Sequence, residues 1–306
     1  MSNANICKLC LFCLLWAQAL TKCVLAQNPV QVSDSVFRQE MDFGLYLLNN
    51  QQYAEAQQVF AQLDTATKSL LAPSRTDSLY FYHGWACYNQ KLLLPATEQF
   101  LQISGNSPFF HASRYFAAYN LTHKEWYAPA KGILTDLYLP PSDSLLQELR
   151  FFQLSGIALL QRNFAQFGHL SGKYSFSHYQ LQQQEQNMLQ YAATLKKVKR
   201  RSPALAGMLS AVVPGLGKVY AGKVKQGVAS FFPIALLGLQ AFENIHKRGI
   251  KNGFSIFYTG LFSVFYVGNI WGSVLSVQIK QQEIYHEIDN RILFDLHIPL
   301  RNIFGN

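Results

Sequence analysis

The stretch that decides the architecture is Gly253–Val277, GFSIFYTGLFSVFYVGNIWGSVLSV, which runs for 25 residues without a charged side chain. As an α-helix it would be about 37 Å long, enough to cross the roughly 30 Å hydrocarbon core of a bilayer. Upstream, Gly227–Phe242 (GVASFFPIALLGLQAF) is a second uncharged run, of 16 residues. A basic turn, HKRGIKN, separates the two runs. The pattern predicts a transmembrane helical hairpin over residues 227–280, followed by a polar C-terminal tail over residues 281–306.

The segment before the hairpin, residues 201–226, carries S-P-x-x-A from Ser202 and then S-x-x-x-P-G-x-G-x-x-Y-x-G from Ser210. Pro214 would end a short apolar helix, and the glycines after it would let the chain turn back, which predicts an interfacial or re-entrant segment. These motifs, followed by a hairpin, resemble the small two-transmembrane-helix domain family and related bacterial domains of unknown function over about residues 202–280. The resemblance implies no established chemistry.

Within the longer apolar run, small residues recur every four positions at Gly268, Gly272 and Ser276. A stripe of small residues lets another helix approach closely in a membrane. The spacing therefore predicts a membrane helix-packing site, through which the hairpin could form a homo-oligomer.

Charge is distributed unevenly along the chain. Only 14% of residues are charged and 49% are apolar, below the roughly 25% charged that is usual for soluble domains. Residues 27–195 contain 10 Lys/Arg and 12 Asp/Glu, whereas residues 196–306 contain 14 and 5. Basic residues beside apolar segments mark membrane boundaries rather than a nucleic-acid-binding face. Positive-inside logic places the HKRGIKN turn in the cytoplasm, although the basic run Lys196–Arg201 would then face the exported side.

The N-terminus has the features of a secretory signal peptide over residues 1–26. An uncharged run, Leu9–Leu20, follows Lys8, and small residues precede a cleavage site after Ala26. The alternative is a lipoprotein anchored at Cys23, which Lys22 disfavours. Cleavage after Ala26 would remove four of the five cysteines and leave Cys87, so that neither a disulfide nor a zinc site is expected.

A second pattern fills the N-terminal half. Three small residues, Gly44, Gly84 and Ala118, are each followed by apolar residues at offsets of 9, 12, 16 and 19. The followers are Tyr53, Ala56, Phe60 and Leu63; Leu93, Ala96, Phe100 and Ile103; and Tyr127, Ala130, Leu134 and Leu137. The units are 40 and 34 residues apart, and the extra six residues are assigned to a loop at Ala72–Asp77. The pattern predicts helix hairpins in which the small residue lets the second helix pack closely.

This spacing resembles the tetratricopeptide repeat family over about residues 34–140, with a degenerate fourth unit around Gly156 and a capping helix at residues 177–199, giving a domain over 27–200. The resemblance implies a concave groove, lined by the first helices, that holds a peptide or a partner protein. The groove positions are Arg38, Met41, Leu45, Asn49, Phe81, Trp85, Tyr88, Asn89, Tyr115, Tyr119 and His123. The alternative, that some of these rings pack between repeats as core, stays open.

The expected fold class is therefore all-α: an exported, tetratricopeptide-like helix-hairpin repeat array followed by a two-helix transmembrane hairpin. The expected function is that of a membrane-tethered protein–protein interaction scaffold. We expect a multi-pass protein of a bacterial inner membrane, with its N-terminal domain in the periplasm. Expected partners are a protein or peptide in the groove, membrane lipid and a second copy. No metalloprotease or serine-hydrolase motif is present, and we expect no enzyme activity, cofactor, metal or nucleic-acid partner. The alternative is a membrane assembly or transport-associated factor whose hairpin oligomerises and whose repeats act as a docking arm.

Overall fold

The structure, a computed structural model, describes residues 34–67 and 73–305, and the regular structure in these ranges is helical throughout. The signal peptide predicted over residues 1–26 lies outside the described residues. The chain divides into two compact units, one ending at Pro140 and one beginning at Pro141. The helices of the first unit are α1 Asp34–Asn49, α2 Tyr53–Thr67, α3 Pro73–Asn89, α4 Leu93–Gln102, α5 Phe110–His123 and α6 Tyr127–Asp136. Those of the second are α7 Ser144–Leu160, α8 Phe164–Ser171, α9 Gln182–Lys197, α10 Pro203–Val212, α11 Leu216–Tyr220, α12 Val224–Arg248 and α13 Gly253–Phe304.

Consecutive helices of the first unit pack against each other from α1 to α6. A Cβ atom added at Gly84 would lie 2.8 Å from Cδ1 of Phe100, and one at Gly44 would overlap the ring of Phe60. The alanines at offset 12, Ala56, Ala96 and Ala130, are completely buried. The prediction that a small residue on the first helix admits the second helix closely is confirmed for these pairs.

The loop predicted at Ala72–Asp77 is wrong from residue 73 onwards, because α3 begins at Pro73. Proline is favoured in the first turn of a helix, where its missing N–H has no intrahelical acceptor. Asp77 lies within α3 and is buried, and one of its carboxylate oxygens accepts a 2.9 Å hydrogen bond from the backbone N–H of Ser104. The carboxylate thereby ties the start of α3 to the end of α4.

The same turn joins the two helices of four successive hairpins. The first helices of these hairpins are followed by residues with positive φ, namely Gln51 (61°), Lys91 (63°), Glu125 (63°) and Arg162 (59°). In each case the next amide N–H bonds to the carbonyl five residues earlier, as in Trp126 to Leu121, and the second helix begins two residues after the positive-φ residue. This is the Schellman motif, which usually has glycine at that position.

Replacing a positive-φ side chain by glycine should therefore stabilise the first unit. Glu125→Gly relieves the left-handed conformation, which costs an L-residue roughly 1–2 kcal/mol and is only partly offset by the greater unfolded-state entropy of glycine. We expect a net gain of about 0.5–1 kcal/mol in the free energy of unfolding, measured by denaturant titration. The neighbouring Lys124→Gly, at φ −87°, is the control and should destabilise; a gain from both variants would contradict the explanation.

In the second unit, the C-terminal half of α13 packs against α7 and α9. Residues 281–304, predicted as a polar tail, continue this 52-residue helix. A Cβ atom at Gly156 on α7 would lie 2.5 Å from Leu296 on α13. Gln153 donates a 2.8 Å hydrogen bond to the backbone carbonyl of Leu296, and Arg162 makes a bidentate pair with Asp289 at 2.7 and 2.8 Å.

The helices α7 to α9, which the sequence analysis joins to the N-terminal repeats, thus lie in the second unit. The helix predicted at residues 177–199 forms as α9, and its buried residues include Met188 and Leu195. Asp295 of α13 accepts hydrogen bonds from Asn187 (3.0 Å) and from the Tyr191 hydroxyl (2.8 Å) on α9. The face of α9 that carries Asn187 and Tyr191 therefore packs against α13.

The segment over residues 201–226 forms two short helices that pack on α13. The helix α10 runs antiparallel to α13: Gln281 donates to the carbonyl of Arg201 at one end, and the Tyr266 hydroxyl donates to the carbonyl of Ala211 at the other. The chain then turns at Gly215, where φ is +86°. From there α11 runs back toward the level at which α10 begins. A Cβ atom at Gly217 would overlap the carbonyl oxygen of Ala206, so the P-G-x-G element is where two backbones come into contact.

Two helices in the described part of the chain, α12 and α13, are long and apolar enough to cross a membrane. Only 11% and 22% of their most apolar windows are buried. Large apolar side chains therefore lie on the surface of both helices, among them Phe232, Leu236, Leu239 and Phe242 on α12 and Val264, Val267 and Trp271 on α13.

Candidate functional site

The structure brings five of the predicted groove residues into one aromatic ladder on α3 and α5. The ring of Trp85 stacks on Phe81 and Tyr88, with centroid distances of 6.4 and 5.5 Å. Tyr88 meets Tyr119 edge-on at 6.4 Å, and Tyr119 meets His123 at 6.2 Å. The ladder is therefore continuous across the second and third hairpins.

Burial divides these residues into a floor and a rim. Phe81, Tyr88 and Tyr119 are buried and Tyr115 is completely buried, so these rings contribute to the core of the unit. Burial raises the pKa of the Tyr119 hydroxyl to about 12. Of the remaining predicted positions, Met41 is also buried, and Leu45, Trp85 and Asn89 are half-buried. The exposed positions, which form the rim, are Arg38, Asn49 and His123.

A hydrogen bond joins the half-buried residues Trp85 and Asn89. The Asn89 amide donates a 2.8 Å hydrogen bond to the backbone carbonyl of Trp85, which fixes the asparagine side chain along its own helix. At the surface these positions therefore present the half-buried Trp85 beside polar side chains, while most of the other predicted rings are buried.

Sequence reasoning missed two exposed aromatic residues on α1. Phe43 and Tyr46 are 49% and 62% exposed. They lie away from the buried stripe Phe37, Met41 and Leu48 when α1 is drawn at 100° per residue. Their position outside the buried stripe follows from the helical wheel, so the signal for these two exposed rings is present in the sequence.

The small residues predicted as a helix-packing face have three different environments. A Cβ atom added at Gly268 would have nothing within 4 Å. One added at Gly272 would lie 3.7 Å from Cε of Lys218. Ser276 is buried, and its hydroxyl donates to the carbonyl of Gly272 at 2.7 Å. The middle of the stripe is thus occupied by a lysine of α11.

A hydroxyl network holds α10 and α11 to α13. The Ser210 hydroxyl donates to that of Ser273 at 2.7 Å and accepts the Gly217 N–H at 2.9 Å. Ser273 in turn donates to the carbonyl of Asn269. Because each buried hydroxyl is both donor and acceptor, the network is satisfied without water.

A second polar cluster lies between α7 and α9. The Glu148 carboxylate accepts a 2.7 Å hydrogen bond from the Ser175 hydroxyl and lies 3.4 Å from Nε2 of His178. Burial is the largest influence on the pKa of Glu148 and raises it, but the hydrogen bonds from Ser175, the neighbouring Glu185 and the charge of His178 together lower it by more, so the net shift is downward. Burial, followed by the neighbouring Glu148 carboxylate, raises the pKa of Glu185 to about 8. Glu148 is therefore the charged member of the pair, and Glu185 carries the proton at neutral pH.

This pair predicts a pH dependence of the second unit. Because the folded-state pKa of Glu185 lies above its unfolded value, its stabilising contribution is full below about pH 4.5 and is lost as the pH rises toward about 8. Glu185→Gln should remove the decline, and at pH 9 should be more stable than the wild type by roughly 2–5 kcal/mol. Unfolding of the full chain in detergent at pH 5 and pH 9 measures this.

The control is Glu287→Gln, whose carboxylate is 65% exposed on α13. It should keep the wild-type pH profile. An identical profile for wild type and Glu185→Gln would show that Glu185 ionises without cost in the folded state.

Among the described residues, the one cysteine is Cys87, and its thiol is not exposed. Cys87 is buried and free, and burial raises its thiol pKa to about 11. In the described part of the chain, no group of three or more His, Cys, Asp or Glu side chains could hold a metal ion.

Comparison of the chain with protein-family models found no matching family, and comparison with curated proteins and with solved structures found no match either.

Proposed function

We propose that the protein is a membrane-tethered scaffold whose first unit binds a protein or peptide partner on the periplasmic side of a bacterial inner membrane. The single observation that carries the proposal is the exposure of large apolar side chains along α12 and α13. Contiguous exposed apolar surface of this kind marks a membrane or partner contact. The first unit has its own core and is formed of paired helices, as in tetratricopeptide-like repeats.

The contacts within the second unit support a two-pass topology. Arg162 before the hairpin pairs with Asp289 after it, and Gln153 bonds to Leu296. The segments before and after the hairpin must therefore lie on the same side of the membrane. Two crossings by the hairpin meet this requirement. The turn between α12 and α13 then faces the opposite side, which positive-inside logic makes the cytoplasm. The segment of α10 and α11 enters beside α13 and returns without crossing, as a re-entrant segment does.

Cysteine labelling tests the topology directly, because the native Cys87 is buried. Tyr138→Cys, at a side chain 78% exposed in the first unit, should react with a membrane-impermeant maleimide in intact spheroplasts. Lys251→Cys, in the turn between the two long helices, should react only after permeabilisation. The protein should also stay with membranes after an alkaline carbonate wash; its release, or the opposite labelling pattern, would contradict the proposal.

Partner binding is tested by site-specific photocrosslinking in native membranes. A photoreactive residue at Asn49 or His123 on the rim should give a discrete adduct, and one at Tyr138 serves as the position-matched control. Trp85→Ala should weaken the adduct by a factor corresponding to roughly 1–2 kcal/mol, as for an anchor residue at an interface. Equal adducts from all three positions would show that the contacts are not confined to the rim.

A further inference from the structure

A cavity of about 410 Å³ lies between α11, α12 and α13. Most of its wall is apolar, including Pro233, Val264 and Phe265. Three polar side chains lie on it, Lys218, Ser230 and Asn269, one from each helix. An apolar pocket with a few convergent polar groups is the usual form of a small-molecule site.

The cation in this cavity is held without a counter-charge. Lys218 Nζ donates a 2.6 Å hydrogen bond to the Ser230 hydroxyl, and its stem lies over Gly272. Lys223, five residues later, is instead paired with Glu283 at 3.5 Å. Among the described residues no carboxylate is ion-paired with Lys218. A half-buried ammonium beside apolar walls is stabilised by an anion.

The amide in the wall lacks partners altogether. Asn269 is 5% exposed, and neither its Nδ2 nor its Oδ1 has a hydrogen-bond partner among the described residues. Leaving a buried amide unpaired costs roughly 1–3 kcal/mol per group. A bound group that both accepts and donates hydrogen bonds would satisfy both atoms, as a phosphate with an adjoining alcohol does.

The position of the cavity indicates where such a group comes from. On α13, Gly272 under the Lys218 stem and Asn269 in the cavity wall lie five and eight residues before the end of the apolar run at Val277, about 8 and 12 Å along the helix axis. A phosphate bound to Lys218 and Asn269 would therefore lie two to three helical turns inside the end of the apolar run, a depth that local thinning of the bilayer accommodates. The mouth of the cavity is flanked by Val264 and Phe265, which are exposed on the lipid-facing surface.

We propose that this cavity binds the phosphate of an anionic phospholipid such as phosphatidylglycerol, with Lys218 and Ser230 on the phosphate, Asn269 on phosphate and headgroup hydroxyl, and an acyl chain along Val264 and Phe265. The lipid assignment rests on the membrane location proposed above. The phosphate chemistry rests on the three polar side chains alone.

The test uses the full chain purified in detergent, with phosphatidylglycerol, phosphatidylcholine and inorganic phosphate as separate probes. Binding is measured by native mass spectrometry and by the shift in melting temperature. Phosphatidylglycerol should remain bound and raise the melting temperature, whereas the other two should not. Lys218→Met should weaken phosphatidylglycerol binding at least tenfold and Asn269→Leu at least threefold. Lys225→Met, which removes the same charge from an exposed site on α12, should change binding less than twofold.

Equal binding by the wild type and Lys218→Met, or equal binding of phosphatidylcholine and phosphatidylglycerol, would overturn the proposal. Ser230→Ala, a smaller change, carries the same expectation should Lys218→Met not fold. Inorganic phosphate that binds with the same dependence on Lys218 would overturn the lipid assignment in favour of a free anion. The scaffold proposal fails separately, through carbonate release or the labelling pattern, because binding in detergent requires no membrane.

Discussion

Removing residues 281–306 should unfold α7 to α9 and leave α1 to α6 folded. The deleted half of α13 presents Ile288, Ile292, Leu296 and Leu300, of which the last three are completely buried. Burial of each large aliphatic side chain contributes about 1.5–3 kcal/mol, so the four together equal the stability of a typical domain. The deletion also removes Asp289 and Asp295, leaving the polar partners of both on α7 to α9 unsatisfied.

Hydrogen exchange followed by mass spectrometry measures this in the full-length protein in detergent. Peptides from residues 144–197 should lose protection by orders of magnitude in the truncated chain. Peptides from residues 73–136 should exchange as in the wild type. The matched control is a deletion of residues 302–306 only, which keeps the buried face of α13. Retained protection of residues 144–197 in the longer deletion would show that α7 to α9 form a domain without α13.

A related consequence concerns soluble fragments. A fragment that ends at residue 200 includes α7 to α9 without the helix that covers them, whereas one that ends at residue 140 matches the first compact unit. The domain boundary read from the repeat resemblance, at residue 200, therefore leaves a large apolar face uncovered.

Local spacing was sufficient to predict contacts within a hairpin. Gly84 and Phe100 are 16 residues apart, and a fixed offset between neighbouring helices encodes their meeting directly. The same reasoning fails at Gly156, whose partner Leu296 lies 140 residues away on α13. Position 172, 16 residues after Gly156, is itself a glycine, so the hairpin cannot fill its own gap. The side chain that fills the gap at Gly156 is Leu296, and no pattern within the hairpin's own sequence predicts it.

The C-terminal helix carried a signal that the polar composition of residues 281–306 obscured. Apolar residues recur every four positions at Ile284, Ile288, Ile292, Leu296 and Leu300. This is one stripe of a helix, and in the structure it is the stripe that packs on α7 and α9. The groove positions show the converse problem: their residue types suit both recognition and core, and burial depends on how closely α3 and α5 approach.

Gly44→Leu should destabilise the first unit by on the order of 1–3 kcal/mol or more, because a side chain at this position overlaps the buried ring of Phe60. Gly84→Leu and Ala96→Leu should act in the same way on the second hairpin, where Ala96 is completely buried. The control is Gly132→Leu on α6, whose added Cβ atom meets nothing within 4 Å. The leucine there gains helix propensity without a clash and should leave stability unchanged or slightly raised. Hydrogen exchange of residues 34–67 and 73–136 and the thermal midpoint of the full chain measure the difference. Equal midpoints for Gly44→Leu and Gly132→Leu would show that α1 and α2 do not depend on the close approach, and the hairpin packing on which the repeat assignment rests would have to be abandoned.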